Sequence, residues 1–304
     1  MAIKKLPSTG DRPHFSQTRT GLPAGITAGG RADSAGFPWE GRSFTHHDTA
    51  FAEDDGTAPP TYLAAVQQVR AAAAVYFKAS AERDPAQINS SLRALAAAQR
   101  EALLALQEVR VLIPLLTVAG DIGVTPEGKT VEKTQELSIV TVAAPDGRKV
   151  MPVFSSTAAM RRWDPTARPI PVPLPQALLA AAEEQTELVI IDPGTTETEF
   201  GLRHNQFAVV AAAADFTPSW ADPEIAALAT AELTADELVQ LVALLPADPE
   251  MRLLTPETEL VLGIVGGLPT AQMQATANQA AQKWQNHSQL ASSVDSLKLR
   301  VVAV

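Results

Sequence analysis

The chain has 304 residues, a formal net charge of −10 and no cysteine. The absence of cysteine excludes disulfides, thiol nucleophiles, cysteine-ligated zinc and iron–sulfur clusters, and it fits a reducing cytosol. A folded region this acidic is a poor electrostatic match to phosphate backbones, so we expect no nucleic-acid partner. No apolar run reaches the roughly eighteen residues of a membrane span, and the N-terminus lacks the apolar core of a secretory signal. We therefore predict a cytoplasmic protein without a membrane segment.

The chain is predicted to begin with a disordered tail and then two helices. Residues 1–57 are rich in Gly, Pro, Ser, Thr and Asp and show no apolar period, so they cannot offset the entropy of ordering. The first helix is predicted to begin at about Thr61. The second begins with Asp84 as its N-cap and Pro85 at the first helical position.

The middle of the chain is predicted to contain most of the β-structure. The segment "VRVLIPLLTV" (109–118) is typical of a strand, and its proline indicates an edge or a bulge. "DIGVTPEGKTVEKTQ" is predicted to be a polar loop, and "ELSIVTVAAPDGRKVMPVFSS" a hairpin that turns at "PDG". A short helix over 156–163, an extended "RPIPVPL" and a helix over 175–185 follow. A strand over 187–194, a further short strand and another helix complete this part.

The C-terminal part shows a different pattern. Residues 220–250 are predicted to be mostly helical and 251–267 to form a strand pair, followed by a long helix (268–289) and a terminal strand (296–304). This order indicates a small α+β unit packed on one sheet face.

The predicted fold class is α+β. It comprises an N-terminal mixed α/β domain, with a predominantly antiparallel sheet flanked by helices, and a smaller C-terminal strand–helix–strand unit. The predicted ranges are a tail over 1–57, an N-terminal domain over 58–215 and a C-terminal domain over 216–304.

The histidines do not indicate a catalytic triad. Of the five histidines, three lie in the predicted tail, and His204 and His287 stand in no recognisable catalytic context. The pattern "HHD" at 46–48 with "EDD" at 53–55 is a weak metal signal, because a metal site needs ligands that are held in place. We therefore predict no metal site and no catalytic residues.

Phosphate and acid–base signals are also weak, and we predict no cofactor. The stretch "GIVGGLPTAQ" (263–272) is predicted to be a tight turn with Thr270 as a helix N-cap, since no lysine is near. Paired carboxylates can support acid–base chemistry, but sequence does not show whether two of them face each other. Candidate carboxylates in or near the better-structured half are Glu132, Glu136, Asp164 and Asp192.

The strongest candidate binding site is "FSSTAAMRRWDPTARPIPVPL" (154–174). Three hydroxyl side chains precede the short helix and three arginines lie close in sequence, parts that suit an anion pocket or a peptide-docking ledge. The same residues suit a structural role, in which a hydroxyl caps the helix, the tryptophan fills the junction with the sheet and the prolines stiffen an edge. The candidate residues are Ser155, Ser156, Thr157, Arg161, Arg162, Trp163 and Arg168.

The run from "VRVLIPLLTV" through "LSIVTVAAPDGRKVMPVFSSTAAMRRWDPTARPIPVPL" to "ELVIIDP" resembles the N-terminal domain of the SseB family, named for an enhanced serine sensitivity phenotype. The resemblance covers about residues 60–215 and is closest to actinobacterial members. Residues 216–304 more loosely resemble the C-terminal domain of longer members. The resemblance implies a cytoplasmic protein with α/β or α+β domains and an unassigned molecular activity, with no catalytic residues to carry over. The positions that best match its signature are Lys133, Thr134, Phe154, Ser156, Thr157, Ala158, Trp163, Pro165, Arg168 and Pro169.

Three functional hypotheses remain open from the sequence. The leading one is a non-enzymatic binding or adaptor protein, whose partner is another cytoplasmic protein. The second is a sensor of a small molecule, such as an amino acid or an anionic metabolite. The third is an enzyme that uses carboxylates with Ser156 or Thr157, which would require two titratable groups to converge on Ser156 in one cleft.

Overall fold

A computed structural model of the protein describes residues 2–3, 51–119, 122–124, 130–132, 135–144 and 146–304. The tail prediction for 4–50, with its "HHD" pattern, and the signature positions Lys133 and Thr134 fall outside these residues. Residues Gly56–Val304 belong to one compact unit.

The described strands are, in chain order, β1 (Ala2–Ile3), β2 (Arg110–Ala119), β3 (Ile122–Val124), β4 (Thr130–Glu132), β5 (Gln135–Ala143), β6 (Lys149–Val153), β7 (Arg168–Pro173), β8 (Leu188–Ile191), β9 (Phe200–Arg203), β10 (Val239–Pro246), β11 (Thr258–Ile264) and β12 (Leu297–Ala303).

The described α-helices are α1 (Pro60–Glu82), α2 (Pro85–Ala105), α3 (Thr157–Trp163), α4 (Leu174–Glu183), α5 (His204–Ala212), α6 (Pro223–Leu233), α7 (Thr270–Asn286) and α8 (Ser288–Ser293). Two short 3₁₀ turns lie at Leu106–Glu108 and Ser219–Ala221. As predicted, Asp84 is the N-cap of α2, and its carboxylate accepts hydrogen bonds from the backbone of Ala86 and Gln87.

A seven-stranded sheet forms the larger part of the unit. Its order is β7–β2–β5–β6–β8–β9, with β1 paired to β5. The pair β6–β8 is parallel and the other pairs of this sheet are antiparallel. The predicted hairpin at "PDG" is the β5–β6 connection, where Gly147 has φ of 87°. The prediction of a predominantly antiparallel sheet flanked by helices, and with it the α+β class, is confirmed.

The described helices cover the two faces of this sheet unequally. Helices α1, α2, α4 and α5 pack on one face, where Val153, Ile191 and Phe200 of the strands are fully buried. On the opposite face α3 covers Leu112 and Phe154 through Ala159 and Met160. Because α3 is short, it covers only the part of that face near the ends of β2 and β6.

The second sheet has the order β10–β11–β12. Strand β11 is antiparallel to β10 and parallel to β12, with α7 and α8 between β11 and β12. The predicted strand–helix–strand unit is therefore present. Its core also takes in Tyr76 of α1, Leu95 of α2 and Trp220, so this sheet packs on side chains from the N-terminal helices.

Two predictions for this part were wrong. The range 220–250 is not mostly helical, because α6 ends at Leu233 and Val239–Pro246 is strand β10. The predicted strand pair within 251–267 is one strand, β11, whose antiparallel partner is β10. The segment "VQLVALLP" consists of good helix formers for the most part, but pairing with β11 overrides that propensity.

Two further differences concern the middle of the chain. Pro114 does not mark an edge, because β2 lies between β7 and β5. The pairing of β2 with β5 begins at Leu115, directly after Pro114. The missing N–H of Pro114 therefore removes no hydrogen bond between β2 and β5. The segment predicted to be a polar loop contains β3 and β4, which pair antiparallel.

Candidate functional site

The candidate residues that precede and form α3 lie where the parallel strands β6 and β8 end, whereas Arg168 begins β7 beside β2. Val153 of β6 is in register with Ile191 of β8, so the residues that follow the two strands meet at one sheet edge. Asp192 accepts a hydrogen bond from the backbone N–H of Ser155 at 2.7 Å and one from its Oγ at 2.5 Å. Both residues are fully buried. The pair therefore fixes the backbone between β6 and α3.

The environment of Asp192 disfavours its charged form. Burial raises the pKa of this carboxyl, although the hydrogen bonds from Ser155 and Thr198 and the nearby charge of Arg162 act in the opposite direction. Asp192 also has φ of 53°, a left-handed conformation that Asp tolerates better than most residues. Asp192 therefore has a structural role in holding Ser155, and the burial of its carboxylate costs solvation free energy.

The three hydroxyl side chains before α3 all have intramolecular partners. Ser155 bonds to Asp192, as above. Ser156 is the N-cap of α3, and its Oγ accepts from the N–H of Ala159 at 3.1 Å. Thr157 donates its hydroxyl to the carbonyl of Gly56 at 3.3 Å. The predicted helix cap is therefore Ser156, and the hydroxyls serve the local fold.

The arginines nearby are arranged differently. Arg161 and Arg162 lie in the last turn of α3 and Arg168 begins β7, and all three are exposed. Within the described part of the chain, none of the three guanidinium groups has an ion pair or a hydrogen bond. The helix dipole favours cations in the last turn of a helix, so Arg161 and Arg162 are stabilised there without an acidic partner.

Trp163 lies between these arginines in the sequence. It is half-buried, and its ring packs on that of Phe154 with the centroids 5.3 Å apart and the planes tilted by 43°. The predicted role of Trp163 at the junction of helix and sheet is thus confirmed, while part of the side chain stays accessible. We call the surface formed by Arg161, Arg162 and Trp163 the α3 ledge. Arg168 is not part of it, because it lies opposite Leu115. Leu115 has the parity of Val111 and Ile113, which face α1, α2, α4 and α5, whereas Leu112 and Leu116 face α3.

The strand that follows the ledge has prolines at alternate positions. Strand β7 is at the sheet edge beside β2 and contains Pro169, Pro171 and Pro173. Leu112 of β2 exchanges both backbone hydrogen bonds with Phe154, so its backbone groups point away from β7. Pro171 lies opposite Leu112. In an antiparallel pair, the backbone N–H and C=O groups of two opposite residues either point toward each other or both point away from the partner strand. The three prolines therefore face away from β2, the only strand that pairs with β7 among the described residues, and they offer no N–H on that side.

The loop after β8, residues 192–199, is held by side chains that the sequence did not single out. The hydroxyl of Tyr62 donates to the carbonyl of Thr198, and Arg70 donates to the carbonyl of Glu199 at 3.0 Å. The Glu199 carboxylate accepts from the backbone of Gly194 at 2.7 Å and from Arg252 at 3.1 Å. Tyr62, Arg70 and Arg252 lie far from this loop in the chain. The sequence therefore indicated only a turn at "DPG" and none of these contacts.

The remaining candidate residues have local roles. The Asp164 carboxylate accepts from the backbone of Thr166 at 2.7 Å and from its hydroxyl at 2.6 Å. His287 caps α8 by accepting from the N–H of Leu290. The prediction that Thr270 is an N-cap was wrong: Pro269 holds that position and Thr270 is the first helical residue. Asp164 and Asp192 thus serve separate turns. The side chains of Glu132 and Glu136 fall outside the described residues.

A groove of about 340 Å³ lies beside α2, on another part of the unit. One wall is a helical stripe of α2, and the other is the segment around the 3₁₀ turn at 219–221. Its lining residues are Asn89, Leu92, Arg93, Ala96, Thr217, Trp220 and Ala221. A concavity of this size is at the lower limit of small-molecule sites.

These features define an α+β protein whose candidate site is formed by two exposed arginines and a half-buried tryptophan at the end of α3. The family model for the SseB protein N-terminal domain matches residues 88–201, from within α2 to within β9, and this range includes the α3 ledge. The resemblance found in the sequence is confirmed for that range. The resemblance of 216–304 to the C-terminal domain, and that to actinobacterial members, stay predictions. No curated protein and no solved structure matches the chain.

Among the described helices, none combines the length and the apolar character that crossing a membrane requires.

Proposed function

We propose that the protein is a non-enzymatic adaptor of the cytoplasm that binds a partner protein through the α3 ledge. The observation that supports this proposal is the pair of exposed arginines, Arg161 and Arg162, directly before the half-buried Trp163 at the end of α3. Neither arginine has an ion pair within the described part of the chain. In a chain of net charge −10, these cations give the end of α3 a local positive charge. Arginine and tryptophan are enriched among the residues that contribute most to protein–protein affinity.

The architecture suits this role. Ser155, Ser156 and Asp192 fix the start of α3, and Trp163 is anchored on Phe154. The arginine side chains therefore project from a rigid base, which reduces the entropy that binding must overcome.

The test is capture of a partner by the tagged full chain from its own cytosol after brief crosslinking. We expect one dominant partner that is lost with Arg161→Glu and with Trp163→Ala. Arg83→Glu is the matched control, because Arg83 is exposed at the end of α1 and the charge change is the same. Circular dichroism verifies that each variant is folded. A partner captured equally by both folded ledge variants contradicts the proposal.

A second candidate function, sensing of a small anionic molecule, is favoured by the groove beside α2. Its apolar wall of Leu92 and Ala96, with Arg93 at the rim, suits a ligand that has an apolar body and one negative group. A panel of amino acids and phosphorylated metabolites is expected to raise the melting temperature of the full chain, and Ala96→Trp, which fills the groove, to abolish that rise. No shift at millimolar concentrations counts against this function.

A further inference from the structure

We propose that the segment bound by the α3 ledge is acidic, and that it is held by its side chains and not by strand addition to β7. This inference rests on the proposed function and names the chemistry of the partner. Two independent observations support it, the charge of the ledge and the backbone of the neighbouring edge.

The charge of the ledge selects carboxylates. Each guanidinium offers a planar set of donors that matches a carboxylate in a bidentate pair. The acidic groups near the ledge are already engaged, because Asp164 is bonded to Thr166 and the buried Asp192 to Ser155. Arg161 and Arg162 are thus open to carboxylates from outside the described chain. The exposed part of Trp163, the next residue of α3, adds an apolar surface.

The neighbouring edge excludes the commonest way in which a sheet binds an extended peptide. Strand addition needs alternating N–H and C=O groups along the open edge. At β7 the outward positions are Pro169, Pro171 and Pro173, which supply carbonyl groups and no N–H. A peptide lying along this edge therefore forms at most half of the ladder. The bound segment must therefore be recognised through its side chains, and the ledge offers them positively charged groups.

The proposal predicts that added salt weakens binding, and that blocking the backbone N–H groups of the peptide does not. Exposed ion pairs are screened over about 10 Å at 0.1 M ionic strength, so affinity falls as salt rises. A peptide whose alternate amides are N-methylated cannot complete a ladder, but it keeps its carboxylates. These two properties separate side-chain recognition from strand addition.

The experiment uses the full chain and a fluorescent octaglutamate peptide, with octalysine as the comparison. We expect octaglutamate to bind at low salt and octalysine not to bind. Affinity should fall by about tenfold between 50 and 300 mM NaCl, and by about tenfold or more in the double variant Arg161→Glu/Arg162→Glu. Arg83→Glu and the N-methylated octaglutamate should retain the affinity of the parent pair.

Several outcomes overturn the inference. They are the absence of octaglutamate binding at low salt, an equal loss of affinity in Arg83→Glu, and a loss of binding on N-methylation. The first of these leaves the adaptor function standing if partner capture still depends on Trp163. If capture also fails to depend on the ledge, the proposed function fails as well.

Discussion

Asp192 shows how one buried carboxylate fixes the ends of two strands. It accepts both polar hydrogens of Ser155, the residue through which β6 passes into α3. Asp192→Ala leaves two buried donors without an acceptor, and we expect it to lower the free energy of unfolding by about 3 kcal/mol. Ser155→Ala removes one of the two bonds and should cost about 1 kcal/mol. Urea unfolding at pH 7 measures both, and equal losses would contradict this account.

The raised pKa of Asp192 gives its contribution a defined pH dependence. Because burial raises the pKa in the folded state, the folded protein holds this proton more tightly than the unfolded chain does. The resulting stability is present below the ordinary pKa and is lost as the pH rises through the folded pKa. Asp192→Asn is neutral at every pH, so the wild type should gain stability relative to this variant as the pH falls from 7 towards 4. Urea unfolding across that range measures the difference, and a constant difference would show that burial is not the dominant cause.

Gly201 in β9 is a second position where a single atom decides the packing. A Cβ at this residue would overlap the side chain of Leu253, and the Gly201 N–H donates to the carbonyl of Met251. We expect Gly201→Ala to cost about 1–3 kcal/mol through overpacking. Adding Leu253→Ala should restore much of that loss, because it removes the atoms in conflict. A double-mutant cycle measures the coupling, and additive losses would contradict the contact.

Local patterns predicted most helices and strands of this protein, and tertiary pairing explains the failures. The boundaries of α2, α3 and β7 follow from signals within a few residues, such as the cap Asp84 and the alternating prolines. Strand β10 has no such signal, since its sequence suits a helix until β11 pairs with it. The error at Thr270 is smaller and arises because proline also begins helices well.

The candidate site could be located from the sequence, but the roles of its residues could not be separated. The sequence placed hydroxyls and arginines together, whereas the structure assigns Ser155, Ser156 and Thr157 to intramolecular bonds. The deciding partners, Asp192 and Gly56, lie far from these residues in the chain. No periodicity or motif connects such pairs, so only the folded chain shows which side chains remain open.

The prolines along the edge of β7 predict that this edge does not pair with a second copy of the chain. Edge strands with free N–H groups are templates for pairing with another copy, and prolines are one of the ways to prevent this. Pro169→Thr/Pro171→Thr restores two outward N–H groups, and we expect this variant to self-associate at concentrations where the wild type does not. Sedimentation velocity measures this at equal concentrations. A variant with the oligomeric state of the wild type would show that the missing N–H groups are not what protects the edge.

The two sheets are joined by a buried ionic cluster centred on Arg203. This residue, at the end of β9, donates to Asp248 at 2.7 Å and to Asp295 at 3.1 Å, and both carboxylates belong to loops beside the three-stranded sheet. Arg148 also bonds to Asp295, at 2.9 Å. Removing one partner of a buried cluster costs more than the cluster contributes, since it leaves charges without compensation.

Arg203→Met therefore tests how strongly the cluster couples the two sheets. We expect it to lower the free energy of unfolding by about 3–5 kcal/mol, because Asp248 loses its guanidinium partner inside the protein. The matched control is Arg300→Met, which breaks a pair with Glu259 at the surface and should cost less than about 1 kcal/mol. Adding Asp248→Asn and Asp295→Asn to Arg203→Met should recover part of the loss, since the two side chains that Arg203 binds then carry no charge. Urea unfolding followed by tryptophan fluorescence and circular dichroism measures all three. Equal losses for the buried and surface arginines, or no recovery in the triple variant, would show that packing and not charge joins the sheets.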